Sequence, residues 1–170
     1  FLWGNCDTCT ANELHATGIG NISFCTPQTL DFDGIDDFIS REAFLGGKTE
    51  VTMMSWVKLD ENFDGGDIIG QRNFRMYVDS YKRLYAFLKT NNGTEINSPD
   101  LSDIILKDNL WYHLALSFDS NTGTLNLYSN GNSIWNYSDN ALIGSSIIDT
   151  DEWNSNYDFE ISVFFNAFIM

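Results

Sequence analysis

An all-β fold of the sandwich or jelly-roll kind is predicted by three observations. Residues 110–137 read as a three-strand meander in which Tyr112, Leu114, Leu116 and Phe118 alternate with Trp111, His113, Ala115 and Ser117, the period of a strand. Turn signals recur about every 8–12 residues along the chain, the spacing of short strands packed in two sheets. Only two prolines occur, no useful stretch has a helical period, and Phe, Tyr and Trp make up 15% of the residues, which favours strands.

Taken in order, residues 1–27 stand outside the sandwich pattern, as a cysteine-containing lead-in ahead of a sandwich over 28–170. Residues 30–39 read as two short strands around Asp33-Gly-Ile-Asp-Asp37. Residues 50–59 form one longer strand with Val51, Met53, Ser55 and Val57 on one face and Met54 and Trp56 on the other. Apolar residues on both faces predict a central strand, with Trp56 and Trp111 packed in the core. A polar loop with Gly65 and Gly66 follows, and then strands over 67–71, 73–78 and 83–89. Residues 101–106 are an apolar run that suits a strand or a single helical turn. In the meander, Asn130-Gly131 predicts a type I′ hairpin, because both central residues of that turn need positive φ. From Phe159 the chain alternates cleanly, after which Phe164, Phe168 and Met170 make the second face apolar too, an apolar edge that calls for a partner.

Three of these stretches carry a resemblance. They are Leu30-Asp-Phe-Asp-Gly-Ile-Asp-Asp-Phe-Ile39, Val51-Thr-Met-Met-Ser-Trp-Val-Lys-Leu59, and Trp111-Tyr-His-Leu-Ala-Leu-Ser-Phe-Asp119 followed by Leu125-Asn-Leu-Tyr-Ser-Asn-Gly131. In this order they resemble the laminin-G-like, concanavalin A-like lectin family. The resemblance implies a jelly-roll sandwich and a recognition or adhesion module, sometimes with bound calcium. The family's usual ending, a Gly, an acidic pair and an Arg-Ile-Tyr strand, has no counterpart around residues 159–170, so the sandwich is expected either to lack its closing strand or to be closed differently. The absence of an initial Met and the lead-in predict one module of a larger extracellular or cell-surface protein, such as a bacterial adhesin. Its partners would be a carbohydrate or protein ligand and the neighbouring domains of the same chain. The alternatives are a structural spacer and, less favoured, a glycan hydrolase of concanavalin-like fold.

Charge narrows the function classes. Nine Lys and Arg against 24 Asp and Glu give a net charge of −15. Such a surface repels nucleic acid and anionic membranes and favours metal cations. No apolar run near 20 residues is present, so no membrane-inserting helix is expected.

No catalytic constellation is written in the chain. The two-carboxylate strand motif Glu-x-Asp-x-x-Glu of sandwich glucanases is missing, and Glu50, Glu61, Glu95, Glu152 and Glu160 are scattered. His113 is read as a hydrogen-bonded residue in or near the core rather than a base. The expectation is therefore a non-enzyme.

Calcium is the candidate cofactor, since it takes several oxygen ligands from Asp-rich loops. Asp33, Asp36 and Asp37 form the first candidate loop and Asp60 and Asp64, with Asp67, the second, although Asp-Gly also serves as plain turn chemistry. Sugar recognition needs aromatic faces and polar groups near turns, which Arg72, Tyr81, Trp135, Tyr137 and Trp153 supply. Cys6, Cys9 and Cys25 allow a disulfide from Cys25 to Cys6 or Cys9. Free thiols, or a zinc site completed by His15, remain the other readings.

Overall fold

The structure is a computed structural model, and it describes residues 23–25, 29–32, 38–100, 104–148, 159–162 and 167–169. Among these residues the strands are β1 (Ser23–Cys25), β2 (Thr29–Phe32), β3 (Phe38–Arg41), β4 (Glu50–Leu59), β5 (Gly66–Gln71), β6 (Phe74–Val78) and β7 (Leu84–Lys89). They continue as β8 (Glu95–Asn97), β9 (Trp111–Asp119), β10 (Thr124–Ser129), β11 (Asn132–Ser138), β12 (Phe159–Ser162) and β13 (Ala167–Ile169), with one short 3-10 turn at Asn140–Leu142. Two antiparallel sheets result. The first runs β1-β2-β13-β4-β9-β10-β11 and the second β3-β12-β5-β6-β7-β8. Here they are called the front and back sheet.

The core lies between them. Val57, Leu59, Leu114, Leu116, Phe118, Leu125 and Leu127 from the front sheet meet Phe74, Met76, Val78, Leu84, Ala86 and Leu88 from the back sheet in one cluster. Each set comes from every second residue of its strands, the pattern that strand geometry imposes. The meander forms as the sequence predicts. Asn130 and Gly131 take φ of 50° and 79°, and the Asn130 side-chain oxygen accepts the His113 N–H at 2.9 Å.

Three expectations are corrected. Trp56 does not pack in the core: it is 44% exposed on the outer face of β4, and Met54 beside it is 56% exposed. The strand is central because it pairs with β9 and β13, not because both of its faces are buried. Trp111, opposite Lys58 in the same register, is only half-buried on that outer face. Ser23–Cys25 pairs with β2 at the edge of the front sheet.

The C-terminal strands join both sheets. β12 inserts between β3 and β5 in the back sheet, and β13 inserts between β2 and β4 in the front sheet. The last stretch is two inner strands that change sheets rather than one unpaired edge. The run at 104–106 is neither strand nor helix; Leu106 is buried, and Ile105 makes an isolated bridge with Arg83.

Candidate functional site

The outer face of the back sheet collects the chain's aromatic and charged chemistry. On β6 and β7 the buried residues alternate with half-buried ones, so Arg75, Tyr77, Tyr85, Phe87 and Lys89 point away from the core. Register then decides which of them meet. Tyr77 lies opposite Tyr85 and Arg75 opposite Phe87, and directly opposed residues share a face.

β5 reaches the same face through a bulge. Its register shifts between Asp67 and Ile69, so Ile68 and Ile69 are both buried while Asp67 faces Tyr77 and Gly70 faces Arg75. In a regular strand Asp67 and Gly70, three positions apart, would lie on opposite faces; the bulge puts them on one. Gly70 has φ of 150°, and a Cβ there would sit 2.5 Å from the Arg75 Cα and Cβ. The missing side chain opens the lane in which Arg75 lies.

A continuous line of side chains crosses this face. The Tyr77 and Tyr85 rings stack with centroids 5.1 Å apart and planes 13° from parallel. The Arg75 guanidinium lies 5.3 Å from the Tyr77 ring and 5.6 Å from the Phe87 ring. At the other end the Arg83 guanidinium lies 6.0 Å from Tyr85 and 4.9 Å from Tyr81, whose ring is 71% exposed. The order along the line is Tyr81, Arg83, Tyr85, Tyr77, Arg75, Phe87. Guanidinium planes over ring faces are attractive contacts that also hold the rings in place.

Carboxylates and amides border the line. Arg75 Nη1 donates to Asp67 Oδ2 at 2.9 Å, and Tyr77 donates its hydroxyl to Asn97 Oδ1 at 2.9 Å. Asp79 ties the hairpin together: Oδ1 accepts the Tyr81 and Arg83 N–H groups at 2.9 and 3.0 Å, and Oδ2 accepts Arg83 Nε at 2.7 Å and the Tyr85 hydroxyl at 3.3 Å. Arg83 also reaches Asp100, and Lys89 pairs with Glu95 at 2.7 Å. Burial pushes the Asp67 carboxyl up and outweighs the Arg75 charge beside it. Burial also pushes Asp79 up, but the donors from Arg83 and Tyr81 prevail and hold it below the usual carboxylate range. Arg75 Nε is buried with no hydrogen-bond partner.

Residues 33–160 match the laminin G 3 family model, described as the concanavalin A-like lectin/glucanases superfamily. The chain belongs to that superfamily. No relative was found among curated protein sequences. Solved concanavalin A-like folds agree with the architecture at low identity. The botulinum neurotoxin serotype G binding domain is similar at 14% identity and a TM-score of 0.61, over 94% of this chain and 42% of that one. Domain 4 of AbnA, an extracellular arabinanase from Geobacillus stearothermophilus solved with arabinotriose, is similar at 16% identity and 0.56, over 88% and 75%. Trypanosoma rangeli sialidase is similar at 12% identity and 0.53, over 89% and 26%. The chain thus spans less than half the length of the neurotoxin domain and about a quarter of the sialidase.

Within this concanavalin A-like sandwich the sequence-predicted ligand residues are dispersed. Tyr81 joins the line at the β6–β7 hairpin. Arg72 is exposed in the β5–β6 turn, at the opposite end of β6. Trp135 and Tyr137 sit opposite Leu127 and Leu125 and pack half-buried against the core, with their own rings 6.0 Å apart. Trp153 lies outside the described residues. So do Asp33, Asp36 and Asp37, and Cys6 and Cys9; of Cys25 only the backbone, at the end of β1, is described.

Asp60 and Asp64 lie in the loop after β4. Asp60 Oδ1 accepts the Asn62 N–H and side-chain amide, which is turn chemistry. The Lys82 ammonium enters this loop, donating to the Asp60 and Glu61 carbonyls at 3.1 and 3.0 Å and to the Asp108 carboxylate. A cation already sits among those oxygens. Among the described residues no group of three or more acidic, His or Cys side chains converges on one point.

Arg75, Tyr77, Tyr85, Phe87, Asp79 and Asn97 were not singled out from the sequence, and Asp67 was read there as a calcium candidate. Their signal was the alternation of β6 and β7 itself, whose outward positions are aromatic or basic instead of merely polar. His113 is placed on the other outer face, its ring 5.2 Å from Trp56.

Proposed function

We propose that this chain is a non-catalytic carbohydrate-recognition module that binds through the outer face of the back sheet. The observation that carries the reading is the unbroken line from Tyr81 to Phe87. Sugars offer apolar C–H faces flanked by hydroxyls, and a row of rings bordered by Asn97, Arg75 and carboxylates matches both. From Arg83 to Phe87 the line runs about 13 Å along β7, room for a short oligosaccharide rather than one ring. Domain 4 of AbnA, solved with arabinotriose, supports carbohydrate as the ligand class. A setting outside the cell, as a module of a larger surface protein, fits that reading.

The carboxylates favour binding over hydrolysis. A glycosidase needs one carboxyl free to donate a proton and another free to attack or to activate water. On this face Asp67 is bonded to Arg75, Asp79 and Asp100 to Arg83, and Glu95 to Lys89, and Glu160, opposite Gly70, is not without a partner either. The test is glycan-array screening followed by calorimetry. Tyr77→Ala, Tyr85→Ala and Phe87→Ala should each weaken binding at least tenfold, while Trp56→Ala on the front sheet leaves it unchanged. Loss confined to Trp56→Ala would move the site to the other sheet. Steady release of reducing ends from a bound glycan would replace the module with an enzyme.

A further inference from the structure

We infer that the outer face of the back sheet selects neutral oligosaccharides and rejects glycans carrying carboxylate or sulfate groups. The inference rests on the carbohydrate reading above and goes further by naming the class of sugar.

Recognition of an acidic glycan needs a cation with donors to spare, because a buried or half-buried anion must be paired. Each cation of this face is already engaged. Arg75 is 2.9 Å from Asp67, Arg83 is 2.6 Å from Asp79 and also pairs with Asp100, and Lys89 is 2.7 Å from Glu95. With Glu160 opposite Gly70, three cations therefore stand among five carboxylates, and the face has no positive surplus. Next to it, Lys82 is spent on the Asp60 and Glu61 carbonyls and on Asp108.

Nor can an anionic sugar take over one of these cations easily. Asp79 holds Arg83 through Nε while accepting two backbone N–H groups, so the pair is part of the hairpin's own structure. Asp67 is reached by Arg75 along the lane opened at Gly70. Bringing a second carboxylate toward Arg75 would set two like charges side by side, on a face where burial already disfavours the Asp67 charge. At longer range the chain's net charge of −15 opposes the approach of any polyanion.

A neutral sugar meets none of these penalties. Its C–H face can lie on Tyr81, Tyr85, Tyr77 or Phe87, and its hydroxyls can exchange hydrogen bonds with Asn97, the tyrosine hydroxyls and the outer carboxylate oxygens.

The experiment is calorimetry on the whole 170-residue chain with arabino-oligosaccharides and β-gluco-oligosaccharides as neutral probes, and oligogalacturonides, sialyllactose and a heparin oligosaccharide as acidic ones. At least one neutral probe should bind, with affinity changing less than twofold between low and high salt, and the acidic probes should bind at least tenfold more weakly. In Asp67→Asn, which frees the Arg75 charge, acidic probes should gain at least fivefold. Acidic probes that bind better than neutral ones to the unmodified chain, or an affinity that falls steeply with salt, would overturn the inference and leave the carbohydrate reading standing. No binding by either class would overturn the carbohydrate reading and this inference with it.

Discussion

Asp79 and Arg83 close the β6–β7 hairpin by two routes at once: the arginine Nε donates to Asp79 Oδ2 at 2.7 Å, and its backbone N–H donates to Oδ1 at 3.0 Å. The same carboxylate accepts the Tyr81 N–H at 2.9 Å, so a single side chain sets the turn that presents Tyr81 and the guanidinium that links it to Tyr85.

Asp79→Asn should therefore cost about 1–3 kcal/mol at neutral pH, the range for hydrogen bonds to a charged group. Because the Asp79 carboxyl is lowered in the folded state, its stabilisation is fully present above the ordinary aspartate value of about 4 and is lost as pH falls through the folded value. Urea unfolding of both proteins at pH 7 and again at pH 3 is the measurement. The gap should narrow at pH 3, and an equal gap at both values would refute the carboxylate's role.

Gly70→Ala tests the lane beneath Arg75. The new methyl would meet the Arg75 Cα and Cβ at 2.5 Å, and the backbone φ of 150° is one that side-chain-bearing residues rarely adopt. A loss of at least about 2 kcal/mol is expected, as overpacking and backbone strain act together. Neutral-glycan affinity should fall with it. Gly65→Ala, near the other end of β5, should be the milder change for that affinity.

Leu116→Ala and Trp56→Ala should rank opposite to their sizes. Leu116 is fully buried between the sheets, so its truncation should cost about 2–5 kcal/mol. Trp56 is 44% exposed and meets His113, an aromatic pair of the kind that contributes about 0.5–1.5 kcal/mol. Denaturation midpoints of the two variants decide it, and a tryptophan variant weaker than the leucine one would contradict the outer-face position.

Calcium is proposed as a stabiliser of the loop holding Asp33, Asp36 and Asp37. A ligand that binds only the folded chain raises Tm by mass action. Millimolar calcium should raise Tm in the unmodified chain and EDTA should reverse it, with the response lost in Asp33→Ala or Asp36→Ala. Asp60→Ala should keep the response, since the Lys82 ammonium already serves the oxygens of that loop. A flat Tm in every case would leave those aspartates to turn chemistry and solubility.

What the sequence determined by itself was the kind of fold and most of its central strands. β4, β9 and β10, and the Asn130-Gly131 hairpin, follow from local alternation and turn chemistry, because side-chain direction in a strand repeats every second residue and two positive φ values in a row favour Asn-Gly. Tertiary pairing decided the rest. Alternation says that a strand has two faces but not which neighbour covers each, so Trp56 and Met54 read as buried although they face outward. It likewise could not show that residues 159–169 become two strands inserted into different sheets, because that depends on empty slots left by β2, β3, β4 and β5. The candidate site was hidden for the same reason. Asp67 and Arg75 are eight positions apart, Tyr77 and Tyr85 also eight, and Tyr77 and Asn97 twenty. Hairpin register and one bulge in β5 bring them onto a single face, and neither is set by the residues of any one strand alone.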